Sequence, residues 1–282
     1  MSTNCNRKFE GASPLQGIFS PLSFEGEGDT GGEVDNTILF SHDSVKSGKR
    51  LNLRILGIAA KWLFMLCLPV LLLTASIGWA VNSLWLYQYG FEKYSVSQTT
   101  GLAEAELEKA ARGLISYFNS DEEDISLAVV KDDQPFELFN QREVLHLRDV
   151  KGLIWLDYWV LLGTLLYALT YAGFSLFWRR KRYWRRLAWG VVGGGGATLA
   201  FMLALRLGTL LGFDQLFLQF HLISFTNPFW QLDPTKDYLI MLFPQGFWYD
   251  ATLFCALATV VGAVVLGGVA GVYLKRTKRQ TS

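Results

Sequence analysis

The sequence predicts an all-α polytopic membrane protein with four transmembrane helices and a small α+β cap on the extracytoplasmic side. Three observations predict this class: an apolar composition, four long apolar stretches, and basic side chains that cluster where alternate stretches end. Hydrophobic residues make up 51% of the 282 residues and charged residues only 18%, which is too apolar for an ordinary soluble domain. A helix of about 20 apolar residues crosses the hydrocarbon core of a bilayer, and each stretch is long enough to do so.

The chain before the first apolar stretch is rich in Gly, Ser, Asp, Glu and Asn and shows no apolar period. Such a composition is typical of disordered segments, and it lacks the short apolar core of a signal peptide. We therefore expect residues 1–54 to form a disordered cytoplasmic tail, residues 55–274 a membrane domain, and residues 275–282 a basic cytoplasmic tail.

Four helices are predicted within the membrane domain. In the fourth helix, the four-residue spacing of Ala263, Gly267 and Gly271 indicates close contact between helix backbones. In the third, the Gly193–Gly196 run indicates either close contact or a local break. The predicted spans are Trp62–Tyr87, Leu153–Trp178, Leu187–Gly212 and Phe247–Leu274.

Lys and Arg cluster in three places, and short loops rich in these residues remain cytoplasmic. All three clusters lie on one side only if both termini are cytoplasmic. That topology places residues 88–152 and 213–246 outside, in a multi-pass protein of the cell (plasma or inner) membrane. The clusters are Lys49, Arg50 and Arg54 before the first span; Arg179, Arg180, Lys181, Arg182, Arg185 and Arg186 between the second and third; and Lys275, Arg276, Lys278 and Arg279 after the fourth.

The first outer loop is acidic, with thirteen Asp or Glu against seven Lys or Arg between Glu92 and Lys151, which excludes a nucleic-acid surface. Residues 102–118 have the apolar period of an amphipathic helix. This helix lies either on the outer membrane surface or packed over the ends of the bundle. Val129, Val130 and the segment Phe136–Phe139 predict two short strands around a turn at residues 131–134.

Two histidines, His146 and His221, fall in different outer loops, and the topology brings both to one face of the membrane. Imidazole exchanges protons near neutral pH, so a general acid or base is the default functional role. Asp149, three residues after His146, is placed to orient that imidazole or to stabilise its cation. The loop around His221 carries Asn227, Trp230 and Asp237 among aromatic residues, a mixture that favours an interfacial, lipid-contacting site.

Three further charges lie near the outer ends of the spans: Asp157, Arg206 and Asp250. One interpretation is an ion pair between Arg206 and either aspartate. The other is that Arg206 meets a lipid head group or a developing negative charge beneath the histidines, because an arginine two turns from a helix end can extend to the interface.

Cofactor sites are weakly indicated, and we expect none. A zinc site would need His146 and His221 with Asp149 and Asp237, but neither the H-E-x-x-H nor the H-x-x-x-H spacing is present. A buried bis-histidine haem would require ligands inside the spans, and neither histidine is predicted to lie there. The three cysteines form no C-x-x-C pair, so thiol redox chemistry is not expected.

The segment His146-Leu-x-Asp149-Val-Lys151 and the segment from Phe220-His221 through Asn227, Trp230, Asp237 and Leu239-Ile240 to Phe243-Pro244 resemble the Lit family, the lipoprotein intramolecular transacylases. The resemblance covers residues from about 55 to 274. It implies an enzyme that moves the sn-2 acyl chain from the diacylglyceryl group of a lipoprotein's N-terminal cysteine to that cysteine's α-amine. It also implies that His146 and His221 are catalytic, with bacterial lipoproteins and membrane lipid as partners.

Such an acyl shift needs no nucleophile from the enzyme, because amine and ester belong to one molecule. Orientation alone supplies about 7–11 kcal/mol in intramolecular reactions. The protein must then move protons and stabilise an oxyanion. We expect the two histidines to transfer the protons, Asp149 to orient one imidazole, and Asn227 or Trp230 to donate a hydrogen bond. The alternative is a non-catalytic lipid-binding or assembly protein.

Overall fold

The computed structural model of the chain describes residues 36–177 and 181–279. The chain divides into two units after Arg50, and the description below concerns the second. The elements are α1 (Asn36–Asn82), α2 (Leu84–Lys93), α3 (Val96–Thr100), α4 (Glu104–Phe118), β1 (Ala128–Lys131), β2 (Gln134–Glu137), α5 (Gln141–Phe177), α6 (Lys181–Ser224), α7 (Tyr238–Leu242) and α8 (Gln245–Arg279).

Four of these helices are long and apolar enough to cross a bilayer, so the predicted fold class is confirmed. The protein is a multi-pass membrane protein. Its spans carry many exposed leucines and valines, since lipid tails solvate apolar side chains that water would not. The spanning segments are Arg54–Asn82, Gln141–Phe177, Tyr183–Leu210 and Gln245–Arg279.

The predicted boundaries were too short at several helix ends. Helix α1 begins at Asn36, within the predicted disordered tail, because extending an existing helix adds one backbone hydrogen bond per residue. Residues 1–35 of that tail lie outside the described residues. Helix α8 continues to Arg279, through most of the predicted basic tail, whose last residues, 280–282, are also outside the described part.

Small residues do bring the spans into close contact. A Cβ atom on Gly194 would stand 2.9 Å from the side chain of Leu68 in α1, and one on Gly195 would stand 3.2 Å from the carbonyl oxygen of Ala263 in α8. The glycine run in α6 therefore lies between α1 and α8. The predicted packing role is confirmed for Gly193, Gly194, Gly195 and Ala263, whereas a Cβ atom on Gly196, Gly267 or Gly271 would meet nothing within 4 Å.

The segment between α1 and α5, together with α7, forms a cap with its own apolar core. Helix α4 buries Leu107, Ala110 and Leu114 in that core, so the packing interpretation of residues 102–118 is confirmed and the membrane-surface interpretation is wrong. Strands β1 and β2 form the predicted hairpin, with Val129 opposite Phe136.

A polar cluster joins the cap to α8. The Lys93 ammonium donates to Asp250 at 2.6 Å and to the Tyr89 hydroxyl at 3.0 Å, while the Tyr94 hydroxyl donates to Asp250 at 2.8 Å. The hydrogen bond to Asp250 holds the pKa of Lys93 above its ordinary value. Asp250 is thus paired within the cap, and the predicted ion pair between Asp250 and Arg206 is wrong.

Candidate functional site

A cavity of about 650 Å³ opens where the cap meets the bundle, and apolar side chains from α1, α5, α6 and α8 form most of its wall. His146 and His221 both line it, as do Trp230 and Asp157. The volume falls within the ~300–1,000 Å³ range of small-molecule sites. The cavity therefore joins an apolar space of ligand size to the two predicted histidines.

His146 lies in the second turn of α5 and is 7% exposed. Its Nδ1 atom is buried and has no hydrogen-bond partner among the described residues, and its ring meets the Phe225 ring edge-on at 5.0 Å. Among the described residues no hydrogen bond holds Nδ1, so packing against neighbouring rings positions the imidazole.

The first turn of α5 is held by a reciprocal cap. The backbone N–H of Glu143 donates to Asn140 Oδ1, and the backbone N–H of Asn140 donates to Glu143 Oε2 at 2.8 Å. The other oxygen of Glu143 accepts the backbone N–H of Leu239 at 2.6 Å. A side chain that is 1% exposed thus fixes both the start of the helix carrying His146 and the start of α7.

His221 lies on the last part of α6, beyond a break in the helix at Gly212. The chain turns back there far enough that a Cβ on Gly208 would stand 3.4 Å from Leu216. The His221 Nδ1 atom lies 2.8 Å from the carbonyl oxygen of Phe217. A carbonyl only accepts, so Nδ1 carries the hydrogen, and in the neutral ring the lone pair lies on Nε2.

The two imidazoles are neighbours in the cavity wall, with ring centroids 6.2 Å apart and an angle of 31° between the ring planes. The convergence predicted from topology is therefore present. Both histidines lie on helices, however, and their assignment to loops was wrong. The apolar spans end before them, but the helices continue through more polar sequence.

Asn227 and Asp149 connect the loop after α6 to α5. The Asn227 amide donates to Asp149 Oδ2 at 2.7 Å. Among the described residues, Asp149 makes no hydrogen bond to either imidazole, so its predicted contact with a histidine ring is not present in this structure. The Trp230 ring packs against His221 with centroids 5.0 Å apart, and its indole N–H has no partner among the described side chains and backbone.

Two predicted supporting residues serve other contacts. Asp237 Oδ1 accepts from the Asn140 amide and Oδ2 accepts the Asp233 backbone N–H, so Asp237 holds the loop before α7. Arg206 is exposed and donates to the Tyr249 hydroxyl at 3.0 Å. Its predicted ion pair with Asp157 is wrong. Within residues 36–177 and 181–279, no three His, Cys, Asp or Glu side chains converge as metal ligands.

The site described above lies in a region of the chain that matches a known protein family. A family model described as lipoprotein intramolecular transacylase Lit matches residues 62–248, which is more than half of the chain. The chain belongs to the Lit family. The matched region contains His146, His221 and every predicted supporting residue.

Solved Lit structures share this fold. The membrane integral lipoprotein intramolecular transacylase Lit from Bacillus cereus aligns with 79% of this chain and 97% of its own length, at 19% identity and a TM-score of 0.64. A mutant of that protein aligns with 83% of this chain and 100% of its own length, at 20% identity and a TM-score of 0.65. An uncharacterized protein of Aquifex aeolicus (strain VF5) is 29% identical over 129 residues, which are 45% of this chain and 55% of that relative's length.

Sequence reasoning missed Glu143, Asn140 and the position of Asp157 in the cavity wall. The first two carried a usable signal, because Asn followed three residues later by Glu is the capping pattern of a helix start. That pattern at Asn140-Gln-Arg-Glu143 places the start of α5 well before the predicted Leu153. No local pattern distinguished Asp157, whose importance depends on what surrounds it in three dimensions.

Proposed function

We propose that this Lit-family protein is a membrane acyltransferase that moves the sn-2 acyl chain of a diacylglyceryl-cysteine lipoprotein to the α-amine of that cysteine, giving a lyso-form lipoprotein. The observation that carries the proposal is the pair of buried imidazoles, 6.2 Å apart, in the wall of an apolar cavity of about 650 Å³. The partners are bacterial lipoproteins and membrane lipid, and the chemistry requires no cofactor.

The reaction exchanges an ester for an amide within one molecule. The α-ammonium loses one proton, and its nitrogen attacks the sn-2 carbonyl carbon. The nitrogen then loses a second proton, and the tetrahedral intermediate collapses with the glycerol oxygen as leaving group. That oxygen must receive a proton as the C–O bond breaks. Nucleophile and ester are already tethered, so the protein contributes orientation, proton transfer and charge stabilisation.

We assign His221 as the base that takes the ammonium proton, because its Nδ1–H is committed to the Phe217 carbonyl and its Nε2 lone pair is therefore free. His146, buried beside it, is assigned to take the second proton from the attacking nitrogen and deliver it to the departing glycerol oxygen, while His221 releases the first proton to water. The Trp230 indole, packed on His221, is the candidate donor to the oxyanion. Asp149 and Asn227, bonded to each other, act by holding α5 against the loop that carries Trp230.

We further propose that the histidines face away from the cytoplasm, in the cell membrane. Helix α5 begins beside His146 and ends at Phe177, so the basic turn that follows lies at the opposite end of the bundle. To test this, Lys109→Cys in α4 and Arg276→Cys in α8 are made in a background without the three native cysteines. A membrane-impermeant thiol reagent applied to intact cells should label only the first variant. Labelling of Arg276→Cys alone would reverse the topology.

Mass spectrometry of the N-terminal lipopeptide of a co-expressed lipoprotein tests the function. Wild type should shift one acyl chain from glycerol to the α-amine, whereas His146→Ala and His221→Ala should leave the diacylglyceryl-cysteine intact. His42→Ala, in the region before the membrane domain, is the matched control and should retain activity. If wild type and all variants leave the substrate unchanged while folded in the membrane, the non-catalytic lipid-binding function replaces this one.

A further inference from the structure

Asp157 lies on the face of α5 that carries His146. Asp157 lies eleven residues after His146. At ~1.5 Å and ~100° per residue, this spacing is about 16 Å along the helix and within about 20° of the same direction. Both line the cavity. The cavity therefore extends along α5 from the histidines toward the bilayer interior, with a carboxyl group at its far part.

The wall between these two residues is apolar. Val150, Leu153 and Ile154 of α5 line it, and Ile77 and Ala80 of α1 lie across from them. Such a surface has the length and polarity to hold one extended long-chain acyl group. A carbonyl placed between the imidazoles would direct its chain down this wall, toward Asp157.

Asp157, at the far part of this wall, differs in its bonding from the other aspartate of the spans at this end of the bundle. The Oδ2 atom of Asp157 is buried and has no hydrogen-bond partner among the described residues, although the residue as a whole is only partly buried. The carboxylate of Asp250, in contrast, is bonded to Lys93 and Tyr94. Burying a polar group without a hydrogen bond is costly, and an ionisable side chain inside a span is by default a candidate for function. Gly78 of α1 leaves the backbone close to this carboxyl, since a Cβ there would stand 3.7 Å from Oδ2.

We propose that Asp157 determines the chain length of the acyl group that this protein transfers. The proposal rests on the proposed transacylase function and adds the binding site of the migrating chain to it. Each methylene that enters the apolar wall improves binding about fourfold. The gain ends where the terminal methyl meets the carboxyl, because a longer chain must cover a polar group that has no other partner. Acceptance should therefore rise with chain length to a limit and then fall.

The test uses purified protein and synthetic diacylglyceryl lipopeptides whose sn-2 chains are lauroyl, myristoyl, palmitoyl, stearoyl or arachidoyl. Initial rates define the preferred length for wild type, Asp157→Ala and Asp157→Phe. We expect the preferred length to increase in the alanine variant, which removes the carboxyl, and to decrease in the phenylalanine variant, which fills the space. The ratio of rates between the longest and the preferred chain should rise at least tenfold in Asp157→Ala.

Asp250→Ala is the matched control, since it removes a buried carboxylate that is bonded to the cap. It should lower all rates together and leave the length preference unchanged. A length preference that stays the same in both Asp157 variants overturns the proposal, while turnover by wild type leaves the transacylase function standing.

A binding measurement separates the two proposals. Saturated monoacylglycerols of the same chain lengths are titrated against the protein, with the thermal midpoint of unfolding as the readout. If no substrate is converted but stabilisation still peaks at a length that shifts in opposite directions in the two Asp157 variants, the transacylase function fails and the acyl site stands. If stabilisation is independent of length and of Asp157, the acyl site fails.

Discussion

The two histidines reach the same cavity from helices of different construction. His146 lies near the start of an uninterrupted 37-residue helix, α5, whose first turn is fixed by Glu143 and Asn140. His221 lies on a segment set off from the rest of α6 by the break at Gly212. The first ring has no partner for Nδ1 among the described residues, while the second donates its Nδ1–H to Phe217.

The surroundings of the two rings differ as well. Leu147, next to His146, is buried in the core of the cap, whereas Phe220, Leu222 and Ile223, next to His221, are exposed, the last of them 83%. Exposed apolar side chains beside an intramembrane site are suited to contact with lipid. The His146 imidazole is thus next to the core of the cap, and the His221 imidazole is next to an exposed apolar surface. A substrate that is half protein and half lipid would meet both.

Asparagine substitution tests the different bonding of the two rings and should have the largest effect on activity. The amide nitrogen of asparagine occupies the position of imidazole Nδ1 but cannot act as a base near neutral pH. We expect His146→Asn and His221→Asn each to lower the rate of acyl transfer by roughly 10²–10⁴-fold, the range of general acid–base catalysis. Initial rates on a synthetic diacylglyceryl lipopeptide measure this.

The thermal stability of the same variants distinguishes the two sites. At position 221 asparagine retains the hydrogen bond to Phe217, so His221→Asn should be more stable than His221→Ala by about 1 kcal/mol. At position 146 asparagine buries an amide without a partner, so His146→Asn should be no more stable than His146→Ala. The same order at both positions would contradict the difference in bonding described here.

Removal of the Glu143 carboxylate should have the next largest effect, on stability. Glu143→Ala leaves the backbone N–H groups of Asn140 and Leu239 without acceptors, at about 1–3 kcal/mol for each. We expect a loss of roughly 2–6 kcal/mol in the free energy of unfolding, measured by denaturant titration in detergent. Glu123→Ala removes only an exposed ion pair with Arg148 and should cost less than about 1 kcal/mol. Equal losses would refute the role of Glu143 as the anchor of α5.

Asp149 should have a smaller effect, confined to rate. In Asp149→Asn the amide oxygen still accepts from Asn227, but the negative charge near His146 is lost, and with it the electrostatic stabilisation of an imidazolium. We expect a decrease of about tenfold in rate, or ~1.4 kcal/mol, with little change in stability. Asp149→Ala also loses the bond to Asn227 and should be slower. Full activity of Asp149→Asn would show that the charge of Asp149 has no role in the reaction and that only its hydrogen bond with Asn227 matters.

The sequence was sufficient to predict the spans, because a run of about 20 apolar residues is typical of a helix that crosses a bilayer. The hairpin at β1 and β2 was also predictable from its turn residues. Helix ends were not, since the hydropathy of a span does not show where a helix continues into more polar sequence. For α5, the capping pattern at Asn140 and Glu143 indicates where the helix begins.

The two catalytic candidates were predictable because histidine is rare in this chain and topology places both on one side. The contacts of the charged residues were not. Asp149, Asp237 and Arg206 each had several polar groups within reach along the sequence, and only the three-dimensional packing selected Asn227, Asn140 and Tyr249 as their respective partners. Asp157 Oδ2 has no hydrogen-bond partner among the described residues, and this too follows from how segments distant in the sequence pack around it.

A crossover experiment tests the central claim of the proposed function, that the acyl group moves within one substrate molecule and is never attached to the protein. Two synthetic lipopeptides, one isotope-labelled in both the peptide and the sn-2 chain and the other unlabelled in both, are mixed with the purified protein. Mass spectrometry of the product then shows whether chain and peptide remain matched. The account predicts only fully labelled and fully unlabelled products. Mixed products, or an acyl group attached to the protein, would contradict it.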